Sequence, residues 1–454
     1  MEASDEISET SQESDKDFIY EDPDIQPLEE EYDKFPHMYN ADWEEVEKHS
    51  STWLREYQAT PGTKNLFLTE DSDPIDFFEL IFPNDMISKV TQWTNKRAEE
   101  NIDNRKRASM KMKKWHNMKV QEMRAFLGCL ITMGIVKKPN VKSYWEKDSN
   151  LFSSIGICEL FSRQRFCDIY SNLCLRNPLD KPAYEKDLLY KISPFINCII
   201  ESSRRYFTPD QQVTIDDAMI AFKGKNKLIQ FMPLKPIRYG FKAFLLCDAM
   251  TGYVLKWKLY TKNPKDVDED YGLTYKIMRI LCKEIEGNYN IVFTDRYYTG
   301  LQILSDLRRL KIGACGTIKS DRTQLPKEFK DLANSLAQDE TMYFKTGNNL
   351  LLSCWKDSAL VTVCSNCFST GNKIRTRRRK KKENEKDEEE RKTEMSREMN
   401  DSVDKLEADL SEIEIYEDIN IPLAIEQYNL YKQGVDRFDQ KAAYYGLKLK
   451  SNRW

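Results

Sequence analysis

The stretch from Gln212 to Gly224, QVTIDDAMIAFKG, constrains the fold more than any other part of the chain. Its apolar residues alternate with the two-residue period of a β-strand, and this period sends the adjacent acids Asp216 and Asp217 to opposite, partly apolar faces. At least one carboxylate therefore leans toward a core, where it costs several kcal/mol unless a cation or a hydrogen-bond donor meets it. Two interpretations stay open at this point: a metal-binding strand, or an ordinary pair of acids at a solvated strand edge.

Length and charge favour a protein with several parts. The chain has 454 residues, which predicts about two to three globular units. Charged residues make up 32% of it, more than the usual quarter or so, and part of the chain must therefore be solvated and charge-rich. The net charge of −4 hides a segregation, because acids crowd the first 50 residues and the remainder is neutral or basic.

Cysteine, histidine and hydropathy exclude several classes of protein. The 11 cysteines follow no framework spacing, which predicts free thiols in a reducing compartment, and the pair Cys364-x-x-Cys367 favours a plain strand over a zinc site. With 3 histidines, triads and zinc hydrolase sites based on histidine are poorly supported. No apolar run approaches the ~20 residues that a membrane span needs, and the sequence predicts a soluble intracellular protein.

The first 210 residues divide into an acidic arm and a helical part. Residues 1–70 have the composition of a disordered acidic arm, with short adhesive segments at Trp43 and Trp53. Residues 71–210 show apolar residues at helical spacing, with Asp76 near the first turn. Basic residues between Lys96 and Lys114 would face outward, where they either contact phosphates or are merely solvated.

After residue 210 the pattern changes to strands. Three consecutive strands with short connections predict an antiparallel meander over 212–222, 239–247 and 253–260. Helices over 273–286 and 300–310 then alternate with a strand ending at Asp295 and a strand over 314–318, which predicts parallel additions to one mixed α/β sheet.

The last part of the chain has three different patterns. Strand-like segments cover Thr341 to Cys364. A charged tract from Lys373 to about Lys405 is either a loop or a solvated helix. From Pro422 the sequence predicts a helix that is broken at Gly434.

Four acids from distant positions could meet at one edge of the predicted sheet. Asp216 lies on the first strand and Asp295 ends the fourth, while Asp436 and Asp439 share one face of the late helix. Carboxylate oxygens are the ligands that Mg²⁺ prefers, and two such ions about 3.5 to 4 Å apart can clamp the attacking and leaving oxygens of a phosphodiester displacement. This chemistry requires neither histidine nor a covalent nucleophile.

Five sequence motifs follow one another in a characteristic order along the chain. They are TIDDAMIAFKGK at Thr214–Lys225, LKPIRYGFK at Leu234–Lys242, FTDRYYTGLQIL at Phe293–Leu304, GTIKSDRTQLP at Gly316–Pro326 and YNLYKQGVDRFDQ at Tyr428–Gln440. In this order and at these separations, the chain resembles the piggyBac transposases and the piggyBac transposable element-derived proteins. The resemblance runs from about Pro74 to the last residue and leaves only the acidic arm outside it.

The resemblance implies a ribonuclease-H-like mixed α/β sheet, a DDD transposase core, with a helical domain for DNA binding and dimerisation and with an insertion domain. The helical domain would cover 71–210 and the core 211–320 and 422–440. The insertion domain would cover 321–421, including the charged tract, and 441–454 would begin a second helical part. The implied activity is metal-dependent DNA cleavage and strand transfer at TTAA sites, with two Mg²⁺ or Mn²⁺ ions and with a second copy of the chain as a partner.

The same resemblance assigns roles to individual residues. Asp216, Asp295 and Asp436 match the catalytic, metal-binding triad, Asp439 matches an extra acid near it, and Asp217 becomes a neighbour of the site. Arg296 stands in place of a common Asn and Gln433 in place of a frequent Gly, and neither change removes a ligand. The expected DNA-binding residues are Lys223, Lys225, Lys227, Lys235, Arg238 and Lys242, which line the loop beside the site, and Trp454, on which a base would stack.

Two functions stay open after the sequence alone. Family members continue beyond the motif that ends at Trp454, many with a cysteine-rich module that recognises transposon ends, and this chain is expected to lack that module. The alternatives are an active transposase and a domesticated DNA-binding protein, with a purely structural role less supported by the motif order. The run from Arg375 to Lys382 is either a nuclear localisation signal or a solvated charge tract, and the sequence predicts a nuclear protein.

Overall fold

The computed structural model describes most of the chain between residues 41 and 446. Its described residues are 35, 41–51, 53–64, 68–69, 71–107, 115–146, 154–179, 189–222, 224–262, 267–326, 329, 331, 335–347, 349–379 and 415–446. Two of the predicted DNA-binding residues, Lys223 and Trp454, lie outside this part, as do residues 1–34 of the acidic arm and the charged tract from residue 380 onward.

The chain before the first core strand folds into helices around one apolar cluster. The first helix begins where the backbone N–H of Asp73 donates to the carboxylate of Asp76 at 3.1 Å, as expected for an acid in the first turn. Ile87, Phe126 and Phe166 are buried together in the cluster. Among the helices of the described residues, none is both long and apolar enough to cross a membrane. The helices are α1 (Pro74–Ile81), α2 (Asn84–Arg107), α3 (Val120–Ile135), α4 (Ile155–Leu160), α5 (Arg163–Asn172) and α6 (Ser193–Tyr206).

Strands within the described residues form one large mixed sheet and two short ribbons. In chain order they are β1 (Trp43–Glu45), β2 (Gly62–Thr63), β3 (Phe207–Thr208), β4 (Gln212–Ala221), β5 (Ile229–Phe231), β6 (Tyr239–Asp248), β7 (Val254–Leu259), β8 (Ile291–Thr294), β9 (Gly313–Thr317), β10 (Thr341–Thr346), β11 (Leu351–Lys356), β12 (Leu360–Ser365), β13 (Asn372–Arg379) and β14 (Ile415–Pro422). The large sheet has the order β1-β10-β11-β12-β9-β8-β4-β6-β5, and β7 also pairs with β6.

The middle of the sheet is parallel and its flanks are antiparallel. Strand β8 pairs in parallel with β4 and with β9, while β6 pairs antiparallel with β4, β5 and β7. The predicted meander and the predicted parallel additions are both confirmed. This mixed sheet with helices is the ribonuclease-H-like core that the resemblance implies.

Helices cover both faces of this sheet. On one face, Tyr275 and Leu304 pack with Ile215 in the largest apolar cluster. On the other face, Ile425 packs with strand residues in a second cluster and Val435 in a third. The predicted break at Gly434 is confirmed, because one helix ends before it and the next begins at it. The helices are α7 (Gly272–Cys282), α8 (Leu301–Arg309), α9 (Leu423–Tyr431) and α10 (Gly434–Tyr445).

The predicted disordered arm is wrong for residues 41–64. Strand β1 pairs antiparallel with β10, and the indole N–H of Trp43 donates to the carbonyl of Gln324 at 2.6 Å. The indole N–H of Trp53 donates to the carbonyl of Asn366 at 2.5 Å, and β2 pairs with β3. The mean composition of this stretch is polar, but its two tryptophans, predicted as adhesive segments, hold it across the sheet.

The predicted insertion domain, 321–421, is not separate from the sheet in its described part. Strands β10 to β12 continue the sheet, and β12 pairs antiparallel with β9 through partners such as Val363 and Thr317. This pairing covers an edge of β9 that would otherwise expose unpaired backbone groups. The start of the charged tract is likewise neither loop nor helix, since β13 pairs with β14 along its whole length. The core boundary predicted at 440 is no break either, because α10 continues to Tyr445.

Asn366 joins the continued sheet to the core. Its side-chain N–H groups donate to the carbonyls of Leu304, at 2.8 Å, and Ile312, at 3.2 Å, and its side-chain carbonyl accepts from the backbone N–H of Ala314 at 2.7 Å. Only 1% of Asn366 is exposed, so these groups have no access to replacement water.

We expect Asn366→Ala to lower the free energy of unfolding by about 3 kcal/mol, because it leaves buried backbone groups without partners. Urea unfolding monitored by circular dichroism measures the change. The matched control is Asn420→Ala on the exposed surface of β14, for which we expect a change within about 0.5 kcal/mol. Equal effects of the two substitutions would contradict the role given to Asn366.

Candidate active site

Two predicted site acids lie side by side where the parallel pairing of β4 and β8 ends. Ile215 is the register partner of Thr294, the last residue of β8, and Asp216 and Asp295 follow these partners. Neighbouring strands lie about 4.8 Å apart, which brings the two carboxylates into direct electrostatic interaction. The fold thus joins acids that are far apart in the sequence.

A tight turn after β8 fixes the orientation of Asp295. The backbone N–H of Tyr297 donates to its carboxylate at 2.9 Å, and the Thr299 hydroxyl donates to its carbonyl at 2.8 Å. The hydroxyls of Thr294 and Thr299 also form a hydrogen bond of 2.9 Å. A Cβ on Gly316 would approach the Thr299 hydroxyl to 2.2 Å, so a glycine is needed for this turn to pack on β9.

Asp216 and Asp217 face opposite sides of the sheet, as the two-residue period predicts. Asp216 is the register partner of Leu245, which belongs to the apolar cluster beneath α10. Asp217 is the partner of Phe244, which belongs to the cluster beneath α7 and α8, and only 7% of Asp217 is exposed. The predicted acid that leans toward a core is therefore Asp217.

Helix α10 carries the other two acids and is seated closely on β4 and β6. A Cβ on Gly434 would come within 2.8 Å of the Thr214 hydroxyl, and a Cβ on Gly252 within 2.9 Å of the backbone nitrogen of Phe438. Gly252 also has a φ of +72°, a conformation that favours glycine. The hydroxyl of Thr214 donates to the carbonyl of Tyr431 at 2.7 Å and so holds the end of α9 on β4.

The environment of Asp216 and Asp295 disfavours their charged forms. Burial raises the pKa of Asp216 to about 7, where the charges of Asp217 and Asp295 add to this effect and the ammonium of Lys235 opposes it. Burial also raises the pKa of Asp295, against the hydrogen bonds from the turn that follows it. Carboxylates held together in this way are stabilised by any cation that joins them.

The two acids of α10 differ in their surroundings. Asp439 is half-buried, and burial raises its pKa to about 6, with Asp436 and Asp217 adding to the effect and Lys235 opposing it. A carboxyl group with such a pKa can hold or release a proton near neutral pH. Asp436 is exposed, and it is not among the main charges that act on Asp216 or Asp295.

The sequence analysis missed a network of charges around Asp217. Its carboxylate lies 3.4 Å from the ammonium of Lys235 and 3.6 Å from that of Lys242, and the hydroxyl of Tyr298 donates to it at 3.5 Å. Tyr298 is fully buried. The sequence contained a partial signal for this network, because two adjacent acids on one strand accompany two lysines in the motif LKPIRYGFK. It did not show that these lysines lie next to Asp217 in the folded chain.

The donor chemistry of the site fits a divalent metal ion. Asp216, Asp295 and Asp439 supply carboxylate oxygens, and the pKa values of these three carboxyl groups are raised. In the described residues, however, no group of three or more His, Cys, Asp or Glu side chains lies close enough together to hold an ion. The side chains thus match a divalent ion in chemical type but are not gathered into an ion site.

The predicted DNA-binding residues fall into three groups. Lys225, Lys227 and Arg238 are exposed on the loops around β5. Lys235 and Lys242 are turned toward Asp217. The other two, Lys223 and Trp454, lie outside the described residues.

Comparisons with known proteins agree with this architecture. The family model described as Transposase IS4 matches residues 73–454. The human PiggyBac transposable element-derived protein 3 is 25% identical over 310 residues, which cover 66% of this chain and 49% of that protein. The human PiggyBac transposable element-derived protein 2 is 24% identical over 312 residues, with the same shares covered. The chain thus spans about half the length of these curated relatives.

A solved structure shares the fold. It is a cryo-EM structure of a piggyBac transposase synaptic complex with hairpin DNA, with a TM-score of 0.67 and 20% sequence identity. The match covers 87% of this chain and 73% of that chain. The likeness therefore includes most of the helical part and the sheet.

We expect Asp216 to destabilise the metal-free protein increasingly as the pH rises from 3.8, its ordinary pKa, to about 7, its pKa in the folded protein. The folded state binds more protons than the unfolded state in this window, so ionisation opposes folding. The free energy of unfolding of the wild type, relative to Asp216→Asn, should fall through the window and level off above it. Urea unfolding in a chelating buffer measures both proteins, and a difference that does not change with pH would contradict the raised pKa.

Proposed function

The chain belongs to the transposase IS4 family, in its piggyBac type, and on this premise we propose that it is a metal-dependent enzyme that cleaves and transfers DNA strands. The observation that carries the proposal is the placement of Asp216 beside Asp295, under the helix that bears Asp436 and Asp439. Strand cleavage by carboxylate-held metal ions needs acids from several elements of a fold, and we assign this role to acids of β4, the turn after β8 and α10.

The roles proposed for the acids are those that the resemblance implies. Asp216, Asp295 and Asp436 would hold two Mg²⁺ or Mn²⁺ ions, with Asp439 beside them. When bound, the ions supply positive charge that stabilises the attacking and leaving oxygens of the phosphodiester. The turn after β8 orients the carboxylate of Asp295 through the N–H of Tyr297. Asp439, whose pKa is raised to about 6 by burial, can exchange a proton close to neutral pH.

The proposed substrate is DNA with transposon ends and a TTAA target. The similar solved structure is a synaptic complex with hairpin DNA, which supports DNA as the partner of this chain. A second copy of the chain is part of the proposal as the resemblance implies it. On this chain, the exposed Lys225, Lys227 and Arg238 lie on the loops that flank β5, near an exposed pair of tilted rings, Phe231 and Tyr239, whose centroids are 4.6 Å apart. Exposed cations and aromatic faces together suit a nucleic-acid backbone and its bases, and such binding weakens steeply with salt.

A second candidate function is that of a transposon-derived DNA-binding protein without cleavage. Two observations favour it: the curated relatives carry the description "transposable element-derived", and the acids of the described residues are not gathered closely enough to hold an ion. A nuclear location fits either function, and the basic run from Arg375 is the candidate signal for it.

We expect the chain to nick a duplex that carries TTAA and candidate transposon ends in the presence of Mn²⁺. Asp295→Ala should lower the nicking rate at least about a hundredfold, because the metal charge contributes several kcal/mol to stabilisation of the transition state. The control is Glu269→Gln, which should nick at the wild-type rate, because Glu269 is exposed and is not among the main charges that act on Asp216 or Asp295.

Denaturing gels of end-labelled strands measure the rate, and gel shifts at several salt concentrations measure binding in parallel. Absence of nicking in the wild type, with salt-sensitive binding retained, would replace the first function by the second. Nicking that survives Asp295→Ala would contradict the assignment of the site.

A further inference from the structure

We propose that Lys235 is an internal counter-cation of the acid site, which stabilises the carboxylates in the metal-free protein and lowers the affinity of the site for divalent ions. Lys235 is thus a positioning residue that opposes metal loading. This inference rests on the proposed function, because it takes Asp216 and its neighbours to be the metal ligands.

The geometry holds the ammonium of Lys235 at the site from a distant loop. Lys235 lies between β5 and β6, and its Nζ donates to the backbone carbonyl of Asp217 at 2.9 Å. The same Nζ lies 3.4 Å from the Asp217 carboxylate. The side chain of Lys235 is 27% exposed and that of Asp217 is 10% exposed. An ammonium held by both the backbone carbonyl and the carboxylate of Asp217 has a defined position, one residue along β4 from Asp216.

Asp217 has partners other than Lys235 that compensate its charge. Asp217 has a second cation in Lys242 at 3.6 Å and a hydroxyl donor in Tyr298. One negative charge thus faces two positive charges, and the second of these is available to the other acids. The positive charge of Lys235 also acts on Asp216 and Asp439. At both acids it is the main cation that opposes the rise of the pKa caused by burial.

The lysine itself responds to these acids. Burial alone would lower the pKa of Lys235, but the charges of Asp216, Asp217 and Asp439 outweigh burial and raise it. The side chain is therefore a permanent cation at neutral pH. Its positive charge partly neutralises these carboxylates, as a bound divalent ion would.

A divalent ion bound to Asp216 would be repelled by this fixed charge. Like charges in one partly buried site repel each other more strongly than they would in water. Removal of the lysine charge should therefore strengthen ion binding by about tenfold or more. It should also weaken the metal-free fold, because the acids then repel each other without compensation.

The experiment measures thermal unfolding of the full chain during titration with Mn²⁺ alone, in wild type and Lys235→Met. We expect Lys235→Met to lower the melting temperature without metal and to reach half of the Mn²⁺-induced rise at an about tenfold lower concentration. Lys235→Arg retains the charge and should titrate like the wild type.

Two further variants separate a general loss of stability from a specific change in Mn²⁺ affinity. Lys242→Met removes the other cation of Asp217, and we expect it to destabilise the metal-free protein without changing the Mn²⁺ midpoint. The double variant Lys235→Met/Asp217→Asn removes both charges of the ion pair, so no buried carboxylate is left with one partner fewer. It should retain the tighter Mn²⁺ binding of Lys235→Met.

The outcomes separate this inference from the proposed function. If Mn²⁺ stabilises the wild type, Asp216→Asn abolishes that rise, and Lys235→Met leaves the midpoint unchanged, the role of Lys235 is overturned while the metal site stands. An equal decrease of the midpoint in Lys235→Met and Lys242→Met would also overturn it, since the effect would then be general. If neither the wild type nor any lysine variant responds to Mn²⁺, the metal site and the role of Lys235 both fail.

Discussion

The burial of two adjacent carboxylates on β4 is the constraint on which the rest of the site depends. Both faces of the strand are covered, so neither acid can be left to water. Asp217 is compensated by two lysines and a tyrosine hydroxyl. Asp216 accepts the backbone N–H of Asp217 at 2.7 Å and otherwise depends on the field of Lys235. This asymmetry makes one acid structural and leaves the other available to a ligand.

The neighbouring strand and helix α10 bring further acids to the side of the sheet that carries Asp216. The register of β4 with β8 sets Asp295 beside Asp216, and the turn that follows fixes its direction. Close packing at Gly434 and Gly252 holds α10 over the same end of the sheet. Lys235 then balances the resulting negative charge from the loop between β5 and β6. A site with acids from three elements and one internal cation is consistent with chemistry that is switched on by metal loading.

Local pattern predicted what is local in this fold. The period of β4, the helices that alternate with strands after Asp295 and the break at Gly434 all follow from neighbouring residues, and the structure has each of them. Long-range pairing was not accessible in the same way. The edge contact of Trp43 with β10 and the pairing of Val363 with Thr317 depend on strands far apart in the sequence. The position of Lys235 at Asp217 likewise requires a loop to fold back, which periodicity does not encode.

The proposed function requires that Asp216 and its neighbours bind divalent ions at one place. Electron paramagnetic resonance of the full chain with Mn²⁺ and a TTAA duplex measures this binding. We expect about two bound ions per chain with the spin coupling of ions about 3.5 to 4 Å apart, and the loss of this coupled signal in Asp216→Asn. Mn²⁺ that binds without coupling, or in the same amount and with the same signal in Asp216→Asn, would show that these acids do not form the metal site.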